Sequence, residues 1–508
     1  MSEFMIPALG NLMDPFNLVL MIGGLAGGII IGALPGLTAT MGVALMVPVT
    51  FAMDTTSGLV MLGAIYAGAI YGGANSACLI CTPGTPSSVA TTFDGWPLCQ
   101  KGEADRALIT SLVSSAFGGI VGTVFLLFLA APLARGALKF GGPESFWLCL
   151  FGLSTIAVMS SGNMVKGLLS GALGLLVATV GLDPHTATPR FTFDYYPLVQ
   201  GVEVIPAMIG LFSFSQVLYL IGSYKPFIAQ YKPEPGAFTY VVRYLTSKCK
   251  VVLLRSSIIG TLVGMLPGAG GEIASIIAYN ESKRWDKKPE RYGTGVIEGV
   301  ASSESSNNAV IGGSLIPMLT LGIPGSAVAA VILGALLAKG IQPGFKVFTT
   351  TGELAYTFIF SQFLVNILMI PIGLILAKIM VRLLSIRLTF VAIAIVVLSV
   401  IGSYAIRNSM LDIWIVLVFG FIGYFCNRVG LDTGAMALGI ILGPMIEENL
   451  GKTHSLSAAS GGSIWAVFFE SPIAIALMGF TLLSLLTPYF LEKKRKSNEA
   501  KMEASNAQ

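Results

Sequence analysis

Pro-Gly pairs that cut into long apolar runs are the feature that most limits how this chain can fold. "GGANSACLICTPGTPSS", from Gly72 to Ser88, sets two prolines, three glycines, an amide and several hydroxyls among apolar residues. The surrounding runs reach about twenty residues, the length that crosses a bilayer. Proline removes a backbone donor, and glycine accepts turns that other residues resist. A helix that meets such a pair ends inside the membrane. Its freed N–H and C=O groups cannot face lipid, so they must be buried in protein or line a wet cavity.

The breaks recur. "GALPGLTAT" starts at Gly32 and "GMLPGAGGE" at Gly264; "CTPGTPSS" starts at Cys81 and "LGIPGSAV" at Leu321. An amide-rich stretch precedes the second break each time, "GGANSA" at Gly72 and "SSNNA" at Ser305. The order is the same twice, which predicts a duplicated unit. Residues 1–221 form the first half, with breaks at 32–40 and 81–88; residues 251–490 form the second, with breaks at 264–272 and 321–326. A basic linker, 222–250, joins them, and 491–508 is a polar tail. The block 251–281 has basic residues on both flanks, while 15–53 has only acidic ones nearby. If basic flanks are cytoplasmic, the two blocks enter from opposite sides and the C-terminus is cytoplasmic. An inverted repeat predicts this arrangement.

Only 11% of the 508 residues are charged and 54% are hydrophobic, against about 25% charged in soluble domains. The expected fold is an all-α polytopic membrane protein of about 10–12 transmembrane helices. It should contain re-entrant or broken helices and two inverted-topology repeats. The basic loops are short and flanked by apolar spans, which excludes a nucleic-acid surface. Cys78 and Cys81 form a CxxC inside an apolar run and read as packing residues. His185 and His454 are the only histidines and lie far apart, so no metal site and no cofactor are expected. Neither histidine lies near a Pro-Gly motif, and no P-loop is present, so the chain does not read as an enzyme or an ATP-driven pump. No basic leader with a cleavage site opens the chain, and no removable signal peptide is expected.

A helix N-terminus inside the membrane presents free N–H groups and the positive end of its dipole, which suit a carboxylate. An exposed C-terminal end presents carbonyls, which suit a cation. Thr38, Asn75, Ser76 and Thr85 supply neutral donors around the first-half breaks, and Asn307 and Asn308 do so in the second. Such donors could hold a di- or tri-anion without a buried arginine. Glu272, Glu304 and Ser306 are the candidates for a coupling ion, sodium or proton, since an intramembrane acid usually serves ion or proton traffic. Asp94 and Glu298 read as interfacial. Tyr195 and Tyr196, in "VGLDPHTATPRFTFDYYPL", read as part of an aromatic belt. The competing reading is a passive organic-anion channel, which needs a continuous lined path and no alternation.

The stretches "GALPGLTATMGVALMVP", "IYGGANSACLICTPGTPSSVATTFDGWPL" and "EGVASSESSNNAVIGGSLIPMLTLGIPGSAVAAVILGALLAKGIQPG", with the "PGAGG" turn, resemble the large permease subunit of the tripartite tricarboxylate transporter family. The resemblance runs over nearly the whole chain. "SSESSNNA" departs from the expected form, in which Pro-Glu and an alanine precede the paired asparagines. The resemblance implies a multi-pass protein of the bacterial inner membrane that takes up a carboxylate such as citrate on a sodium or proton gradient. It also implies two partners, a small four-helix membrane subunit and a periplasmic solute-binding protein, and is compatible with a homodimer. Its motif residues fall here on Pro35 and Gly36, Asn75, Pro83 and Gly84, Pro267 and Gly268, Asn307 and Asn308, and Pro324 and Gly325.

Overall fold

The structure, a computed structural model, describes residues 2–34, 36–159, 164–220, 234–384 and 388–486. Among them the protein is helical apart from one two-stranded hairpin, Gly181–Leu182 with Pro189–Arg190. Six helices are long and apolar enough to cross a membrane, and a seventh span arises if the pair Ile464–Glu470 and Pro472–Leu486, bent by 100°, counts as one. Shorter apolar helices such as Ala39–Phe51 and Ala327–Ala338 flank the breaks. The all-α polytopic membrane class therefore holds.

Two compact units divide the chain. The first holds Met1–Ala137 and Glu203–Phe425, and includes the broken helices of both sequence halves. Its core elements are α1 (Pro15–Ala33), α2 (Ala39–Phe51), α3 (Thr55–Ile80), α4 (Val89–Gln100) and α5 (Ala104–Ala137). They continue with α6 (Lys250–Gly264), α7 (Gly270–Trp285), α8 (Ile297–Leu321), α9 (Ala327–Ala338) and α10 (Gly352–Leu384).

Local chemistry sets the ends of these helices. Asp14 caps α1, with Pro15 at its first position. Leu34 is extended, as a residue before proline must be. Thr38 restarts the chain by accepting a hydrogen bond from the Met41 N–H at 3.1 Å. α3 begins at the Asp54 cap and stops at Cys81, which is left-handed at φ 53°. α8 stops at Gly322, left-handed at φ 72°, and Ser326 caps α9 through the Ala329 N–H.

Every residue from Ser57 to Ile80 in α3 and from Ile297 to Thr320 in α8 is buried. Neither helix has the apolar stripe of an ordinary surface helix, because both are enclosed by protein. α3 packs on α1, and α8 packs on α5 and α6. α5 and α8 meet through Gly118, Gly122 and Gly312, where any Cβ would strike the facing backbone. Small residues commonly let helices approach this closely in membranes.

The contacts repeat between the halves in register. A Cβ on Gly28 would strike the Ile65 carbonyl, and one on Gly260 would strike the Ser306 carbonyl. Likewise Gly84 is pressed against the Gly32 carbonyl and Gly325 against the Gly264 carbonyl. The Gly84 N–H donates to the Gly73 carbonyl at 3.2 Å, and the Gly325 N–H to the Ser314 carbonyl at 3.4 Å. In these pairs the α1 positions recur 232 residues later, and the positions of α3 and its break 241 residues later. The nine extra residues fall between α7 and α8, where the chain carries "DKKPERYGTGV" in place of the short α2–α3 link.

The second unit holds Leu138–Val202 and Cys426–Gln508. Within it the helices Gly142–Met159 and Met164–Ala178 pack on Thr433–Ser460. Arg190 joins the small hairpin to that helix, reaching Glu447 at 2.5 and 3.0 Å and Asp183 at 3.1 Å. The Thr186 and His185 N–H groups hold the Asp183 carboxyl below its ordinary range. Tyr195 and Tyr196 nearby are exposed. Part of the linker read as 222–250 forms a surface helix, Ala237–Lys248, which buries Ala237, Val241 and Leu245 at a four-residue spacing. Residues 222–233 of that linker and the tail 491–508 lie outside the described residues.

Candidate functional site

The break after α3 is a knot of hydroxyls. Gly84, Thr85, Ser87 and Ser88 are buried; Pro83 is half-buried. Thr85 Oγ1 lies 3.1 Å from both Ser87 Oγ and Ser88 Oγ. Ser76 is fully buried, and its Oγ donates to the Gly73 carbonyl of its own helix at 3.0 Å.

The second half closes on this knot. Ser275 of α7 donates to the Ser87 carbonyl at 2.9 Å, so the N-terminal part of α7 lies against the first-half break. A Cβ on Gly271, in the first turn of α7, would strike both Asn307 Oδ1 and Ser87 Cβ. Asn307 is 1% exposed, and its side-chain amide lies within reach of the Glu304 carboxyl. A helix N-terminus, a buried amide and a set of hydroxyls thus converge, a combination able to receive a carboxylate.

The break after α8 is built the same way from other residues. Pro324 and Gly325 are buried. Tyr66 of α3 reaches across, with Oη 3.0 Å from Ser326 Oγ and 3.3 Å from Ser314 Oγ. Thr38 caps α2, which packs on α9. Each half's first hairpin therefore lies against the other half's second break: α7 on the stretch 81–88, α2 on α9.

The other sequence-predicted residues are placed as follows. Gly36 and Gly268 are left-handed at φ 85° and 78°, as the turns require; Pro267 is buried, and Pro35 lies outside the described residues. Asn75 is fully buried, and both ends of its amide are without a hydrogen bond among the described residues. Asn308 donates to the Glu304 carbonyl at 3.4 Å, while its Oδ1 makes no hydrogen bond there. Ser306 Oγ donates to the Ala274 carbonyl at 3.0 Å and so ties α8 to α7. Glu272 is exposed at the start of α7. Glu304 is fully buried, accepting from the Thr91 hydroxyl and from Ser115 Oγ at 2.9 Å.

Asp94 corrects an expectation. It is fully buried, not interfacial. Its carboxylate accepts from the N–H groups of Gly293, Gly295 and Val296 at 3.0, 2.8 and 3.0 Å, and from Tyr279 Oη at 2.9 Å. Asp94 thus fixes, from the other half, the loop that leads into α8 and its N-cap residue Val296. Sequence reasoning also passed over Thr91, Ser115 and Tyr66. Their partners lie about two hundred positions away along the chain, so no local spacing marks them.

Fold and site together define a polytopic helical membrane protein built on paired broken helices. The chain belongs to the tripartite tricarboxylate transporter TctA family, whose model matches residues 18–438. That family is the large subunit of tripartite tricarboxylate transporters. Membership points away from an enzyme. The chain is 35% identical over 491 residues to an uncharacterized 52.8 kDa protein encoded in the TAR-I ttuC′ 3′ region of Agrobacterium vitis. The match covers 95% of this chain and 96% of that protein. A second uncharacterized protein of the same organism, from the TAR-II ttuC′ 3′ region, is 39% identical over 227 residues, covering 45% of this chain and 92% of its own length. No solved structure matches the chain.

Proposed function

We propose that this protein is the ion-coupled permease of a three-component uptake system. It carries a di- or tricarboxylate such as citrate across the bacterial inner membrane. A small four-helix membrane subunit assists it, and a periplasmic binding protein feeds it. A sodium or proton gradient supplies the work. The observation that carries this reading is the convergence, inside the protein, of the α7 N-terminus, the buried Asn307 amide and the hydroxyls of Thr85, Ser87 and Ser88. The two halves form an inverted repeat, and alternating access arises as one half's hairpin moves against the other's break.

The test is uptake of labelled citrate and other carboxylates into vesicles holding all three components. Uptake that follows an imposed sodium or proton gradient is expected. Uptake indifferent to both would reject coupling, and steady currents far above carrier turnover would establish the channel alternative.

A further inference from the structure

We propose that Glu304 is the proton-carrying residue of the transport cycle, loaded as a neutral acid before the substrate anion binds. The inference rests on the transport reading above and assigns its coupling ion.

The two buried carboxyl groups of the core differ in what surrounds them. Asp94 is met by three backbone N–H groups and a phenol. An N–H can only donate, so that nest holds the charged form. Glu304 is met by the hydroxyls of Thr91 and Ser115 and by the side-chain amide of Asn307. Thr91 Oγ1 also lies 3.1 Å from Ser303 Oγ. A hydroxyl turns between donor and acceptor, so this shell donates to the ionised acid and, unlike the N–H nest, can also accept from the protonated one. Among the described residues Glu304 has no ion pair with Lys, Arg or His. A lone carboxylate at zero exposure is costly in such an interior, whereas the neutral acid is not.

The neighbouring helices add little charge. On α3 the titratable group within electrostatic reach is Cys78, a buried neutral thiol that adds no charge. On α4 Asp94 lies one turn from Thr91 and is committed to its nest. The segment of α5 around Ser115 presents Ser111 and Ser114 and no charged residue. On α6 Arg255 is turned to the Trp285 ring, 5.9 Å away. On α7 Tyr279 donates to Asp94, and Glu272 is exposed.

Position supplies the coupling. Glu304 and Asn307 are three apart on α8, so their Cβ atoms lie about 5–6 Å from each other. An ionised Glu304 would repel an anion at Asn307 in this low-dielectric core. A proton from the outer side adds to a carboxylate oxygen, forming an O–H bond, and Thr91 or Ser115 turns to accept it. The repulsion is then gone and the anion binds. On the inner side the anion leaves, the O–H bond breaks and the proton passes to cytoplasmic water. One proton accompanies each cycle.

The experiment uses the complete three-component complex in proteoliposomes, with Glu304→Gln as a fixed mimic of the neutral acid. Citrate exchange at equal concentrations should lose its dependence on pH in this variant. Accumulation driven by a pH gradient should fall on the order of tenfold or more, with the pH dependence flattened. Infrared difference spectra on alkalinisation should show a carboxylic-acid band lost in wild type and missing in Glu304→Gln. Where Glu304→Gln yields no folded protein, the double variant Thr91→Val/Ser115→Ala serves. It removes the donors that favour the ionised form and should move the pH midpoint of exchange upward. Proton-driven accumulation retained by Glu304→Gln with the wild-type pH profile would overturn the proposal, as would an unmoved midpoint in the double variant. Wild-type uptake driven by sodium alone would overturn it too, while leaving the transport reading standing. A wild-type complex that moves no carboxylate in either assay would instead defeat the transport reading.

Discussion

α3 and α8 share a backbone plan and almost none of its chemistry. Both are wholly buried, both end at a left-handed residue before a Pro-Gly break, and both take the next glycine against the carbonyl of their partner hairpin. At the shared register, however, Glu304 stands where α3 has Gly63, Asn307 where it has Tyr66, and Ile316 where it has Asn75. Gly63 faces the neutral amide of Gln362. The amide-rich stretches therefore keep the same order along the chain without occupying the same place in the fold. The comparison teaches that the backbone break is the duplicated part, while polar groups were placed in each half separately.

The comparison can be broken most directly at its shared element. Gly84→Ala and Gly325→Ala both force a Cβ into a carbonyl oxygen, and each should cost about 4 kcal/mol or more. Loss of the monodisperse peak in fluorescence-detected gel filtration checks this, and a tolerated change at one site alone would deny equivalence of the breaks. Next come the unlike counterparts Asn75 and Ile316. Ile316→Ala should lower stability by roughly 2–5 kcal/mol, as buried truncations do. Asn75→Ala gives up no hydrogen bond seen within the protein, so it should keep stability within about 1 kcal/mol while uptake falls. Thermal melts in detergent beside citrate uptake separate the two. Asp94 sharpens the asymmetry, because its counterpart is Ala335. Asp94→Ala strands three N–H groups and should cost roughly 3 kcal/mol, read as a lower melting temperature and faster exchange of the amides of Gly293, Gly295 and Val296. The smallest effect is expected for Tyr66→Phe, which removes a hydroxyl from the second break for about 1 kcal/mol. Melting of the purified variant against wild type checks it.

Much of the scaffold was legible because proline, glycine and apolar run length act locally. The breaks at Gly36, Cys81, Gly268 and Gly322 follow from backbone rules that a few neighbouring residues decide. Asn307 and Glu304 were legible as polar residues in an apolar setting. The shell that defines Glu304 was not, since Thr91 and Ser115 lie 213 and 189 positions away. Asp94 failed for a related reason: an acid near an aromatic helix end resembles an interface residue until the start of α8 is brought to it. Register failed because both halves have polar residues before the break, and only the packing of Gly28, Gly32, Gly260 and Gly264 shows which positions match.

The composition of α8 has a consequence for biosynthesis. At 25 residues it is long enough to cross the membrane, yet it is not among the helices apolar enough to do so on composition. A single glutamate at mid-span already costs about 2.5–3.5 kcal/mol on insertion scales, and α8 adds two asparagines and a run of serines. The insertion machinery would not release such a segment into lipid on its own merits. α8 must enter against a helix that is already in place. α5 is made earlier and presents the serine and glycine face that α8 later occupies. Folding order is thus written into the seam between them: damage to the α5 face should appear first as a failure to integrate α8, before any defect in the finished protein can be measured.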